Sequence, residues 1–162
     1  INTWRDCSGL TSFPLISIPL IDILFVAWAG CSGLTSFPLL IFGGVTDARR
    51  AWDGCSSLLA VPDFNFADLL NGEEAFKDCT SLTTLVAGMA DTMGEATNLT
   101  GLFSGVTLDT ADWNDFLVSI ESVNSNSAVT LDGGNSNHSG AGSTARAALI
   151  ADHSWVITDG GP

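Results

Sequence analysis

The stretch Trp28-Ala29-Gly30-Cys31-Ser32-Gly33-Leu34-Thr35-Ser36-Phe37-Pro38-Leu39 stands almost unchanged at positions 4–15, where only Arg5 and Asp6 differ. It returns in looser form at 52–63 and 76–87. Cys7, Cys31, Cys55 and Cys79 are each 24 residues apart, and so are Leu10, Leu34, Leu58 and Leu82. An internal period of this length means stacked units, each burying its apolar side only against a neighbour. It predicts an α/β solenoid of 24-residue repeats, each with a short parallel β-strand and a short helix.

The strand is read from Leu10, Phe13 and Leu15 and from Leu34, Phe37 and Leu39, which share one apolar spacing. The third position fades to Asp63 and Ala87 after Leu58/Val61 and Leu82/Leu85. Pro14, Pro38 and Pro62 each remove a ladder donor and limit the strand. The helix is read from Val45, Ala48, Trp52 and Cys55, at i, i+3, i+7 and i+10, with Thr46 as its cap. Leu69, Gly72, Phe76 and Cys79 repeat the pattern, with Asp68 as cap. Phe103 then falls 27 residues beyond Phe76, and Met93, Ala96, Leu99, Phe103 and Val106 predict a lengthened helix.

Four to five repeats of 24–27 residues are expected over 1–107, and two longer, degenerate capping coils over 108–162. The latter comprise a helix at 111–123 capped by Asp109 or Thr110, a strand at 128–132, a helix running through Asp152 and a strand at 155–158. The first coil begins without a cap, so the chain is expected to be a fragment of a longer one.

The residues Trp28-x-Gly30-Cys31-Ser32-Gly33-Leu34-Thr35-Ser36-Phe37-Pro38, echoed at 52–62, resemble the short Cys-containing leucine-rich repeats of BspA-like bacterial surface proteins. Related mycoplasma surface-lipoprotein repeats carry Phe in the Trp position, as Phe76 does here. The tail, from Leu131-Asp-Gly-Gly134 through Ala145-Arg-Ala-Ala-Leu-Ile150 to Trp155-Val-Ile-Thr-Asp-Gly-Gly161, resembles the closing segment of such arrays in bacterial surface and bacteriophage proteins. The resemblance spans nearly the whole chain. It implies a leucine-rich-repeat-like solenoid displayed on a cell or virion surface for adhesion or recognition, and it brings no catalytic residues.

Eighteen acidic residues against five basic ones leave a net charge of −13. Such a surface repels phosphate, so nucleic acid is not an expected partner. The greasiest stretch, 13–28, is broken by Pro14, Pro19 and Asp22 and does not suit a membrane span. The apolar residues Ile18, Leu20, Ile23 and Phe25 exceed what one inner face holds and are expected as assembly contacts.

The cysteines, with Trp4, Trp28, Trp52 and Phe76, are expected as a core ladder rather than a metal site, since zinc sites typically draw on closely spaced Cys pairs. Buried free thiols are preferred, because an in-register ladder points its sulfurs the same way. Disulfides Cys7–Cys31 and Cys55–Cys79 are the alternative. His138 and His153, beside Ser139 and Asp152, read as surface residues in or beside turns, without a nucleophile elbow. The cluster Asp109, Asp112, Asn114 and Asp115 lacks EF-hand spacing and reads as polar residues of a helix start, with a weak calcium site as the alternative. Asn98-Leu-Thr100 and Asn137-His-Ser139 have the form of glycosylation sequons.

No constellation supports an enzyme, a cofactor or a metal. The expected function is a non-enzymatic recognition or adhesion module, a bacterial surface adhesin or phage receptor-binding fibre, outside the cell or on a virion. Its face would be the column Ser12, Ser36, Ala60 and Thr84, flanked by Ile16, Leu40 and Phe64 where these point outward. The partner would be a protein or glycan receptor. The alternative is a structural component of a virion or extracellular filament, assembled through the apolar first coil or as a homo-oligomer.

Overall fold

Glycine and left-handed residues recur through the repeats at intervals too short for an unbroken helix, and the backbone turns at each one. In the computed structural model, which describes residues 3–14, 17–18, 20–37, 41–42, 44–61 and 65–162, Val26, Arg50 and Glu74 take φ of 47°, 53° and 54°. Four residues further along, Gly30, Gly54 and Asp78 take 76°, 74° and 56°. A right-handed helix admits none of these angles.

The backbone hydrogen bonds therefore run between segments. The N–H groups of Leu24, Val26, Trp28 and Gly30 donate to the carbonyls of Asp47, Arg49, Ala51 and Asp53 at 2.7–3.0 Å. Those of Ala48, Arg50, Trp52 and Gly54 donate to Asn71, Glu73, Ala75 and Lys77, and those of Gly72, Glu74, Phe76 and Asp78 to Asn98, Thr100, Leu102 and Ser104. Intervening N–H groups close local turns, as Ala27 to Leu24, Cys31 to Trp28 and Leu34 to Cys31. Single parallel bridges join Ile23 to Asp47, Asp47 to Asn71 and Asn71 to Asn98.

The fold expectation is corrected by this arrangement. An α/β solenoid of leucine-rich type, with a strand and a helix in every repeat, does not form. The described residues make a small compact domain with two α-helices, both C-terminal to the repeats, and two two-stranded parallel sheets. The strands β1 (Ser17–Ile18) and β2 (Ile41–Phe42) pair in parallel. They lie after the prolines, not around Phe13; Leu15 and Leu39 fall outside the described residues. Val45, Ala48, Trp52 and Cys55 are all buried as their spacing requires, but on successive turns, because alternate N–H groups are committed to the adjoining segment and are lost to i→i−4 bonding. Thr46 caps nothing; its hydroxyl donates to the Asp22 carbonyl at 3.3 Å. The lengthened helix is likewise absent. The register slips between the bridge Ala60–Thr84 and the bridge Asn71–Asn98, a stretch that holds a single 3-10 turn, Ala90–Thr92.

The C-terminal third is regular. Helix α1 (Thr110–Val123) buries Trp113, Phe116, Leu117 and Ile120. Strand β3 (Thr130–Asp132) follows, then helix α2 (Gly140–His153) and strand β4 (Val156–Thr158), which pairs with β3 in parallel. Leu99 bridges to Leu131, so β3 continues the backbone pairing of the repeats.

The core is a column of flat rings. Trp4 on Trp28, Trp28 on Trp52, Trp52 on Phe76 and Phe76 on Phe103 stack at 5.4, 5.4, 5.0 and 5.7 Å between centroids, all within 16° of parallel. Phe103 meets Trp113 and Phe116 of α1 edge-on, which ends the column against a helix. Trp28 buries its indole Nε1 without a hydrogen-bond partner among the described residues. The column thus selects ring shape rather than the donor, and Phe76 and Phe103 extend it without one.

Two substitutions separate ring packing from backbone geometry. Trp52→Ala should lower stability by about 3–5 kcal/mol, as a large buried ring leaves a cavity. Gly54→Ala should cost only about 1–2 kcal/mol, for its left-handed backbone, because the nearest atom to an added Cβ lies 3.8 Å away. Urea denaturation of both variants checks the order.

Candidate recognition surface

Ser12, Ser36, Ala60 and Thr84 are all exposed and follow one another across adjoining segments. The Thr35 N–H and hydroxyl both donate to the Thr11 carbonyl, at 3.3 and 3.2 Å, and the Leu59 N–H donates to Thr35 at 3.3 Å. Ala60 bridges to Thr84, whose hydroxyl donates to the Leu59 carbonyl at 3.5 Å. The next residue in each segment turns inward. Phe13 and Phe37 stack at 5.3 Å, Val61 is buried and Leu85 half-buried. A row of small and hydroxyl side chains thus sits on a packed apolar backing, interrupted by exposed Leu59. Ile16, Leu40 and Phe64 lie outside the described residues, so the flanks of this row are not placed.

The apolar segment that follows Phe13 divides. Leu24 and Val26 enter the core, whereas Leu20 is 94% exposed, Ile23 40% and Phe25 38%. Phe25 lies beneath the Arg49 guanidinium, 5.1 Å from ring centroid to Cζ, so part of its surface is already used. The backbone of Ile18 belongs to β1, and its side chain is outside the description.

Of the ladder residues, Trp28, Trp52, Phe76, Cys31, Cys55 and Cys79 are fully buried, Trp4 is half-buried and Cys7 is exposed. All four cysteines are free. The thiols of Cys31, Cys55 and Cys79 donate to the carbonyls of Trp4, Trp28 and Trp52 at 3.0, 3.2 and 3.1 Å. Every bond points toward the preceding segment, so each sulfur faces a carbonyl and not another sulfur. Burial pushes Cys55 up to about 12 and raises Cys31 and Cys79 as well. Among the described residues no three His, Cys, Asp or Glu side chains converge as a metal site requires.

His138 corrects the sequence reading. It is buried, and neither Ser139 nor Asp152 bonds its ring. Its Nδ1 lies 2.8 Å from the Ser143 hydroxyl and its Nε2 3.9 Å from Asp159 Oδ1. Asp159, whose side chain is 2% exposed, accepts from Arg146 Nε at 2.9 Å and Trp113 Nε1 at 3.3 Å through Oδ2, and from the Gly161 N–H through Oδ1. Ser143, His138 and Asp159 superficially suggest a triad. At 3.9 Å the Nε2–Asp159 separation is longer than a hydrogen bond, and the carboxylate is instead held by an arginine, an indole and a backbone amide. The cluster ties α1, α2 and the C-terminal turn together. The one sequence signal for it is the rhyme of Asp132-Gly-Gly with Asp159-Gly-Gly, since each aspartate accepts the N–H two residues on. His153 is half-buried in the last turn of α2.

Thiol reagents should label Cys7 alone in the native protein and all four cysteines after denaturation. A thiol whose folded pKa is raised favours the folded state below its unfolded pKa, and that contribution is lost as pH rises toward the folded value. Thermal stability should therefore fall from about pH 9 upward as Cys55 is driven toward its value of about 12, and Cys55→Ser should flatten this slope. Asp159→Ala should lower stability by about 3 kcal/mol, because it strands the Arg146 guanidinium and the Trp113 indole N–H; a urea titration measures it.

No family model, curated protein or solved structure matches this chain.

Proposed function

We propose that the chain is a non-enzymatic recognition or adhesion module that binds a protein or glycan receptor outside the cell or on a virion, as the repeat residues' resemblance to surface proteins implies. The observation that carries this reading is the row Ser12, Ser36, Ala60 and Thr84, held in place by backbone bonds between segments and backed by stacked Phe13 and Phe37. A rigid row presents hydroxyls without the ordering cost that a loop would incur on binding. Burial keeps Cys31, Cys55 and Cys79 protonated and inaccessible, which suits an oxidising exterior. A net charge of −13 disfavours phosphate-rich partners.

A second reading, a structural part of a virion or extracellular filament, is favoured by the exposure of Leu20 and Ile23. Substitutions separate the two. Ser36→Arg and Thr84→Arg, placed on the row, should reduce binding in glycan-array and whole-cell assays at least about tenfold without changing thermal stability. Leu20→Ser should leave binding intact. Loss of assembly in Leu20→Ser, with the row variants behaving as wild type, would replace the recognition reading with the structural one.

A further inference from the structure

One residue beyond Thr84 the chain walls a cleft of about 240 Å³ between residues 85–90 and α1. Its apolar walls include Leu85, Val86, Met89 and Phe116, and its ionisable groups among the described residues are Asp112 and Asp115, about one helical turn apart. No basic residue lines it. Helix α1 contains none either, and Arg146 of the neighbouring α2 is occupied by Asp159. The volume is below that of pockets for drug-sized ligands and suits a single side chain.

We propose that this cleft receives a lysine side chain of a basic partner polypeptide. Such a side chain combines an aliphatic stem with a terminal cation, the combination that a cleft lined by apolar side chains and two carboxylates accommodates. Burial, with Asp109 and Asp115 nearby, pushes the Asp112 carboxyl up, against the opposing effect of the Leu85 backbone N–H. A cation seated beside it offsets that penalty. The chain's excess of acidic residues draws a basic partner toward the site over a distance set by salt. The inference rests on the cleft's own chemistry and not on the exposed row.

The test is an amide-resonance titration of the whole chain with three probes: end-blocked glycyl-lysyl-glycine, its norleucine counterpart of similar shape without charge, and n-butylamine. The lysine peptide should shift the amides of 85–90 and 112–119 saturably, more weakly at high salt, and bind about tenfold or more tighter than either other probe. Asp112→Asn, which keeps an acceptor for the Leu85 N–H, and Asp115→Asn should each weaken it about threefold or more. Asp152→Asn, exposed on α2, should leave it unchanged. Equal binding of the norleucine peptide would reduce the cleft to an apolar groove, and equal binding of butylamine would make it a small-amine site. Either result, or the absence of shifts at the cleft, overturns the proposal.

Discussion

The constraint on which this molecule depends is the commitment of alternate backbone N–H groups to the next segment. Leu24, Val26, Trp28 and Gly30 cannot donate both to a helix and to the carbonyls of Asp47, Arg49, Ala51 and Asp53. Once the second option is taken, the chain between those donors must turn, and left-handed residues recur 24 positions apart. Parallel pairing follows from the same cause, because every segment runs in the same direction over its neighbour. So do the column of rings and the row of thiols, since any residue type repeated in the sequence is brought over its own copy.

The packing has a direction as well as a period. Each buried thiol points to a carbonyl of the segment before it, and the rings stack until Phe103 meets Trp113 and Phe116 edge-on. Helix α1 supplies the rings on which the stack ends, while β3 carries the backbone pairing one segment further. The buried Asp159, with Arg146 and the Trp113 indole, then fastens both helices to the last turn. These polar contacts belong to the same end of the molecule as the edge-on rings. His138 is buried beside them, whereas His153, at the end of α2, is half-buried.

Function, in this reading, sits on what the stack leaves outside. The inward positions are dictated by packing, whereas Ser12, Ser36, Ala60 and Thr84 face solvent on a rigid backing. The cleft beside α1 lies where repetition stops, walled by residues 85–90 of the stretch in which the register slips and by α1.

The period, the buried set apart from exposed Cys7 and half-buried Trp4, and the C-terminal elements were legible in the sequence. Repeated spacing states which residues share an environment, so Trp28, Trp52, Phe76, Cys31, Cys55 and Cys79 could be assigned to the interior, and α1, β3, α2 and β4 follow from ordinary helix and strand patterns. The element inside each repeat was not legible, because a chain of turns and a helix bury the same i, i+3, i+7 positions and only the hydrogen-bond partners distinguish them. The same holds for His138, which reads as a turn residue until Asp159 and Ser143 are brought to it from 21 and 5 positions away. The cleft likewise requires two segments that share no motif. Local periodicity is written in one segment at a time; the choice of hydrogen-bond partner, the burial of a lone polar group and the shape of a gap depend on which segments come to lie side by side.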